Sequence, residues 1–155
     1  MSSPQHTPSP APPAAGLPPA YGPPLSLTAA RKIMAAAETE AERHGWPMVI
    51  AIVDSTAHLV MLHRMEQAQL GSIAIAQAKA ETSARFRRPT KAFQDVVAEG
   101  GAGLRILTMD GVSALEGGLP LMVRGEVVGA IGVSGMQSSQ DAEVARAGAA
   151  ALPPA

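Results

Sequence analysis

The sequence predicts an α+β domain, a single antiparallel sheet of five strands with helices gathered on its faces. Three observations carry that prediction. Apolar runs come in pairs joined by short polar turns, the pattern of hairpins and hence of antiparallel pairing. Ala-rich stretches with helical spacing stand before, between and after these pairs. The 155 residues are 46% hydrophobic and 16% charged, ordinary values for one globular core.

In chain order, Met1–Pro24 holds nine of the 14 prolines. Such a segment buries too little apolar surface to offset its ordering entropy and favours extended polyproline II, so residues 1–24 are predicted to be a disordered tail and 25–155 the domain. Ala29–His44 reads as the first helix, with Ser26 or Thr28 as cap and Gly45 ending it. Leu27, Ala30, Ile33, Met34, Ala37 and Ala41 form its apolar stripe. Met48–Val53 and His58–His63 then form a hairpin turning through Asp54-Ser55-Thr56-Ala57, and the first strand, apolar on both faces, is predicted to be central.

Ser72–Phe86 returns to helical spacing, with Gly71 at its entry and Pro89 forcing its exit. A shorter helix, Lys91–Ala98, leads into a glycine loop, and Leu104–Met109 is predicted as the third strand. Two more strands flank the Arg124-Gly125-Glu126 turn, and Gln140–Leu152 closes the chain as an Ala-rich helix. Glycine is dense from Gly117 to Gly135. Inside a strand it weakens pairing unless another backbone or a ligand must come close.

Composition excludes several functions. A formal net charge of −1 and 3% aromatics give neither a field for nucleic acid nor a stacking platform for bases. With no cysteine there is no disulfide, thiolate nucleophile or Cys-ligated metal. The first Lys or Arg is Arg31, the start lacks a secretory signal pattern, and no apolar run approaches the roughly 20 residues that span a bilayer, so the protein is predicted to be cytoplasmic. Ser134 lies beside a glycine but has no nucleophile elbow or triad around it.

Four kinds of residue remain as candidates. Lys79 falls in a helix otherwise built largely of Ala, Ile and Gln; with a buried stem it would bind a carboxylate or act as a base. Asp141 starts the last helix, where a carboxylate either stabilises the N-terminus or partners Lys79. Gly117 and Gly118 would leave backbone amides near the same place. Of the histidines, His44 sits at a helix C-terminus, and His63 falls on the opposite strand face from His58, so those two cannot chelate one metal. Either His58 or His63 alone, or His44, can serve as an axial ligand. No sequence spacing points to a zinc or non-haem iron site, and no metal is predicted.

Val53-Asp54 with its hairpin to Leu62-His63-Arg64-Met65, then Ile75-Ala76-Gln77-Ala78-Lys79-Ala80-Glu81-Thr82-Ser83-Ala84, then Gly117 through Asp141 stand in an order that resembles the GlcG/HbpS-like family of haem-binding or haem-degrading domains. That family includes the C-terminal domain of some cobalamin adenosyltransferases. The resemblance spans Leu25–Leu152. It implies a profilin-like fold, assembly as a homo-oligomer, and haem or a corrinoid as cofactor in some members. It also implies that Thr82 contacts haem iron, although a neutral hydroxyl is a poorer iron ligand than imidazole. Serine at position 83 departs from the family's usual alanine.

Two readings follow. In the first, the protein binds haem or a related tetrapyrrole in a groove between the Lys79 helix and the Gly-rich hairpin, with Thr82, His44, His63, Gly117 and Gly118 around it. In the second, it is a catabolic enzyme, an isomerase, tautomerase or hydrolytic deaminase. Lys79 and Asp141 then bind a small organic acid and move its proton.

Overall fold

A computed structural model describes residues 16–154. Its elements run α1 (Leu27–His44), β1 (Val49–Asp54), β2 (Leu59–Arg64), α2 (Ser72–Phe86), α3 (Lys91–Ala98), a 3-10 helix (Gly101–Thr108), β3 (Gly118–Val123), β4 (Glu126–Ser134) and α4 (Ser138–Ala150). The strands form one antiparallel sheet in the order β2-β1-β4-β3. Central β1 carries five fully buried residues, Val49–Val53, as a strand apolar on both faces requires.

Alternation along β1 and β4 splits the core in two. Ile50, Ile52, Ile131 and Val133 pack under α1 and α4. Val49, Ala51, Val53 and Ala130 pack under Ala76, Ala80 and Ala84 of α2. The apolar stripe of α1 lies on the sheet as its spacing requires, except that Leu27, in the first turn, is 46% exposed. Ser26 caps that helix by accepting from the Ala29 amide, and Gly45 ends it in the left-handed conformation.

Among the described residues the sheet has four strands, not five. Leu104–Met109, expected as a strand, belongs to the 3-10 helix and the residue that follows it. Gly100 and Gly101 both take positive φ and fold the chain back onto α3, where a Cβ on Gly103 would stand 2.0 Å from the Val96 carbonyl oxygen. Helix-on-helix contact that close leaves the segment no strand edge to join. The start of α4 also differs. It begins at Ser138, with Gln137 and Gln140 forming a reciprocal capping box.

The last part of the Pro-rich segment lies against the domain. Ala20 O accepts from Val127 N, and Gly22 N and Leu25 N donate to Val127 O and Val128 O, so this stretch follows β4 beyond the end of β1. Met1–Ala15, and with them His6, lie outside the described residues. Among the described residues no helix is long and apolar enough to cross a membrane.

Candidate functional site

The strongest concentration of buried polar chemistry lies where α2, β4 and α4 meet. Lys79 enters it because the inner face of α2 is otherwise built of alanine, serine and threonine, which lets the helix settle close to the sheet and carries the lysine stem inside. Its Nζ donates to Asp141 Oδ2 at 2.8 Å and to Val133 O at 2.9 Å. Asp141, at the start of α4, takes the Met136 amide on its other oxygen at 3.0 Å. Lys79 is 1% exposed and Asp141 2%. Burial pushes the Asp141 carboxyl above its ordinary value, while hydrogen bonds from Lys79 and the Met136 and Gly135 amides pull the other way.

Gly117 and Gly118 close the cluster, and their role is steric. A Cβ on Gly117 would stand 2.7 Å from Val133 O and 2.8 Å from Lys79 Nζ; one on Gly118 would stand 2.5 Å from Lys79 O. Gly118 also exchanges hydrogen bonds with Thr90, amide to Oγ1 at 2.9 Å and Thr90 amide to Gly118 O at 3.0 Å. Gly132 repeats the pattern, since a Cβ there would reach 2.1 Å from Ala76 O. Gly118 and Gly132 therefore admit the α2 backbone itself, while Gly129 and Gly135 make room for backbone at Val53 and Pro47.

The structure thus brings Lys79, Asp141, Gly117 and Gly118 together and leaves the other candidates apart. Thr82 is fully buried elsewhere on α2, its hydroxyl accepting from the Ser113 amide at 2.9 Å and facing Gly111 O at 3.5 Å. It ties α2 to the loop after the 3-10 helix. His63, on the edge strand β2, pairs through Nδ1 with Glu38 of α1. His58 precedes β2, and its Nδ1 lies 2.7 Å from Thr56 Oγ1. His44, the last residue of α1, faces Glu40 and Glu143 and stacks on Trp46.

One apolar groove opens along the outer side of α2. Ala74, Ile75 and Ala78 form one wall and Gly111–Leu115 the other, enclosing about 380 Å³. Its far wall is the loop that Thr82 holds. Sequence reasoning missed it because Val112 and Leu115 lie 34 or more residues beyond Ala78 and carry no motif.

The profile of haem-degrading HbpS-like proteins matches residues 25–150, nearly all of the described chain. The chain belongs to the HbpS-like family. Protein GlcG of Escherichia coli K12 is 41% identical over 110 residues, covering 71% of this chain and 81% of that protein. A double mutant of Streptomyces reticuli HbpS superposes with a TM-score of 0.78 at 33% identity, covering 94% of this chain and 99% of that one. The structure of a PduOC:haem complex does so with a TM-score of 0.76 at 31% identity, covering 83% and 95%. HbpS-like membership accounts for the order of motifs from β1 to α4, and haem binding occurs in a protein of this shape.

Proposed function

We propose that this protein binds haem or a closely related tetrapyrrole, such as a corrinoid, in the groove along the outer side of α2. The observation that carries the reading is the likeness of the chain to PduOC, whose structure is that of a haem complex, at 31% identity over nearly all of that domain. The groove supports it physically. Ile75, Val112, Ala114 and Leu115 offer an apolar wall suited to a macrocycle face. The buried Lys79–Asp141 pair supports the groove from within by fixing α2 against β4 and α4. Exposed Leu70, Leu104, Leu107 and Leu115 lie on α2's approach, on the 3-10 helix and on the loop after it, and favour a homo-oligomer that covers part of this surface.

Haemin titration of the purified chain tests the proposal. A saturable Soret change at one haemin per chain is expected, lost in Ala78→Arg, where a long cation fills the groove. Thr82→Ala tests axial ligation from α2, whereas His44→Ala and His63→Ala, on the α1 side of the sheet, are expected to leave the spectrum unchanged. No saturable change with the native protein overturns haem binding. A change that Ala78→Arg leaves intact overturns the groove.

A further inference from the structure

On the opposite side of the sheet from the α2 groove, three side chains able to ligate a metal meet between α1 and α4. Glu40 and His44 stand one helical turn apart on α1, and Glu143 reaches them from the second turn of α4. One ligand atom from each lies within 4.8 Å of the others. His44 Nε2 is 3.0 Å from Glu40 Oε1 and 3.3 Å from Glu143 Oε1. Ligand atoms about 2.1 Å from a tetrahedral metal stand about 3.4 Å apart, so these separations already approach the edges of such a site.

We propose that Glu40, His44 and Glu143 form a binding site for a borderline divalent transition-metal ion of the Zn²⁺ class. One imidazole with two carboxylates is a donor set suited to that class. The carboxyl-terminal end of α1, where His44 sits, is the negative end of the helix dipole and favours a cation. Side-chain exposures of 18% for Glu40, 27% for His44 and 44% for Glu143 leave a side open for water and for exchange.

Arg43 is the competitor. Its Nη2 lies 2.6 Å from Glu40 Oε1 and 3.2 Å from His44 Nε2, so the guanidinium neutralises the position an ion would neutralise. At 64% exposure it swings into water readily when an ion arrives. Removing it separates a metal site from a plain ion-pair cluster, because only a metal site gains affinity.

The chain supplies its own reporter. Trp46 is the single tryptophan, and its ring stacks on His44 with centroids 4.0 Å apart and planes 9° from parallel. Ni²⁺ bound at His44 quenches Trp46 fluorescence, and Zn²⁺ is followed by calorimetry and by displacement of Ni²⁺. With untagged full-length protein we expect one ion per chain, reversed by EDTA. Binding weakens at least about tenfold in His44→Ala and in the near-isosteric Glu143→Gln, a loss that even outer-shell partners cause. Arg43→Ala binds more tightly. Absence of saturable binding in the native chain overturns the site. So does equal affinity in Glu143→Gln, whose surface position leaves the fold intact.

Discussion

Lys79 Nζ and Asp141 Oδ2 meet at 2.8 Å with both side chains closed off from solvent, and this contact joins the second helix to the last one across 62 residues of sequence. Cutting one member leaves the other as an uncompensated buried charge, which costs about 3–5 kcal/mol. Urea unfolding of Lys79→Met and Asp141→Asn is expected to show losses on that scale. The double replacement Lys79→Met with Asp141→Leu is expected to recover most of the loss, since an apolar pair removes both charges. Additive losses in the double variant would contradict a coupled pair.

Gly132→Ala drives a methyl to 2.1 Å from Ala76 O and 2.5 Å from Ala80 N, both of them backbone atoms that cannot rotate away. Overpacking of this kind costs at least about 1–3 kcal/mol. Gly125→Ala, in the open β3–β4 turn with φ +79°, is expected to cost only about 1 kcal/mol from backbone strain. Thermal melts of the two variants should differ in that order.

Asp54 holds the β1–β2 turn by accepting on Oδ1 from Thr56 N at 2.8 Å, Thr56 Oγ1 at 2.6 Å and His58 N at 3.2 Å. Burial pushes its carboxyl up, but these hydrogen bonds outweigh it and leave it below the ordinary value of 3.8. A lowered folded-state value stabilises the fold above the ordinary value, and the contribution is lost as pH falls through the lowered one. The native chain is expected to exceed Asp54→Asn by about 1 kcal/mol at pH 6. That margin should narrow below pH 3.8, as followed by unfolding across the acid range.

Tyr21 fastens the incoming chain to α2. Its hydroxyl donates to Arg85 O at 2.6 Å, and the Arg87 guanidinium sits 4.8 Å over its ring while donating to Pro19 O. Tyr21→Ala is expected to release this segment, read as faster proteolytic cleavage before Leu25 with the remaining domain protected. Equal cleavage rates in the native and variant chains would show that the backbone bonds to Val127 hold it alone.

Much of the architecture is legible in the residues. β1 reveals its central place through an unbroken apolar run, α1 through its stripe and Gly45, and α2 through a stretch bounded by Gly71 and Pro89. Lys79 stands out because it falls among the alanines of its helix, whereas Glu81 and Arg85 pair with each other near the surface. What escapes is non-local. Leu104–Met109 has strand-like composition, and the close approach of Gly103 to Val96, which accompanies its 3-10 turn over Leu104–Thr108, is a contact made outside the segment itself. His44 and Glu143 are 99 positions apart, so no spacing rule reveals that they face one another. Thr82 likewise carries no trace in the sequence of the Ser113 amide that occupies its hydroxyl.

Because Gly118 and Gly132 let backbone rest on backbone, α2 has two sides with different freedoms. The inner side tolerates almost no added atom, so helix and sheet behave as one plate. The outer side, at Ala74, Ile75 and Ala78, carries none of that constraint. Those few positions can therefore be rewritten to suit a different occupant, while the plate beneath them stays as it is.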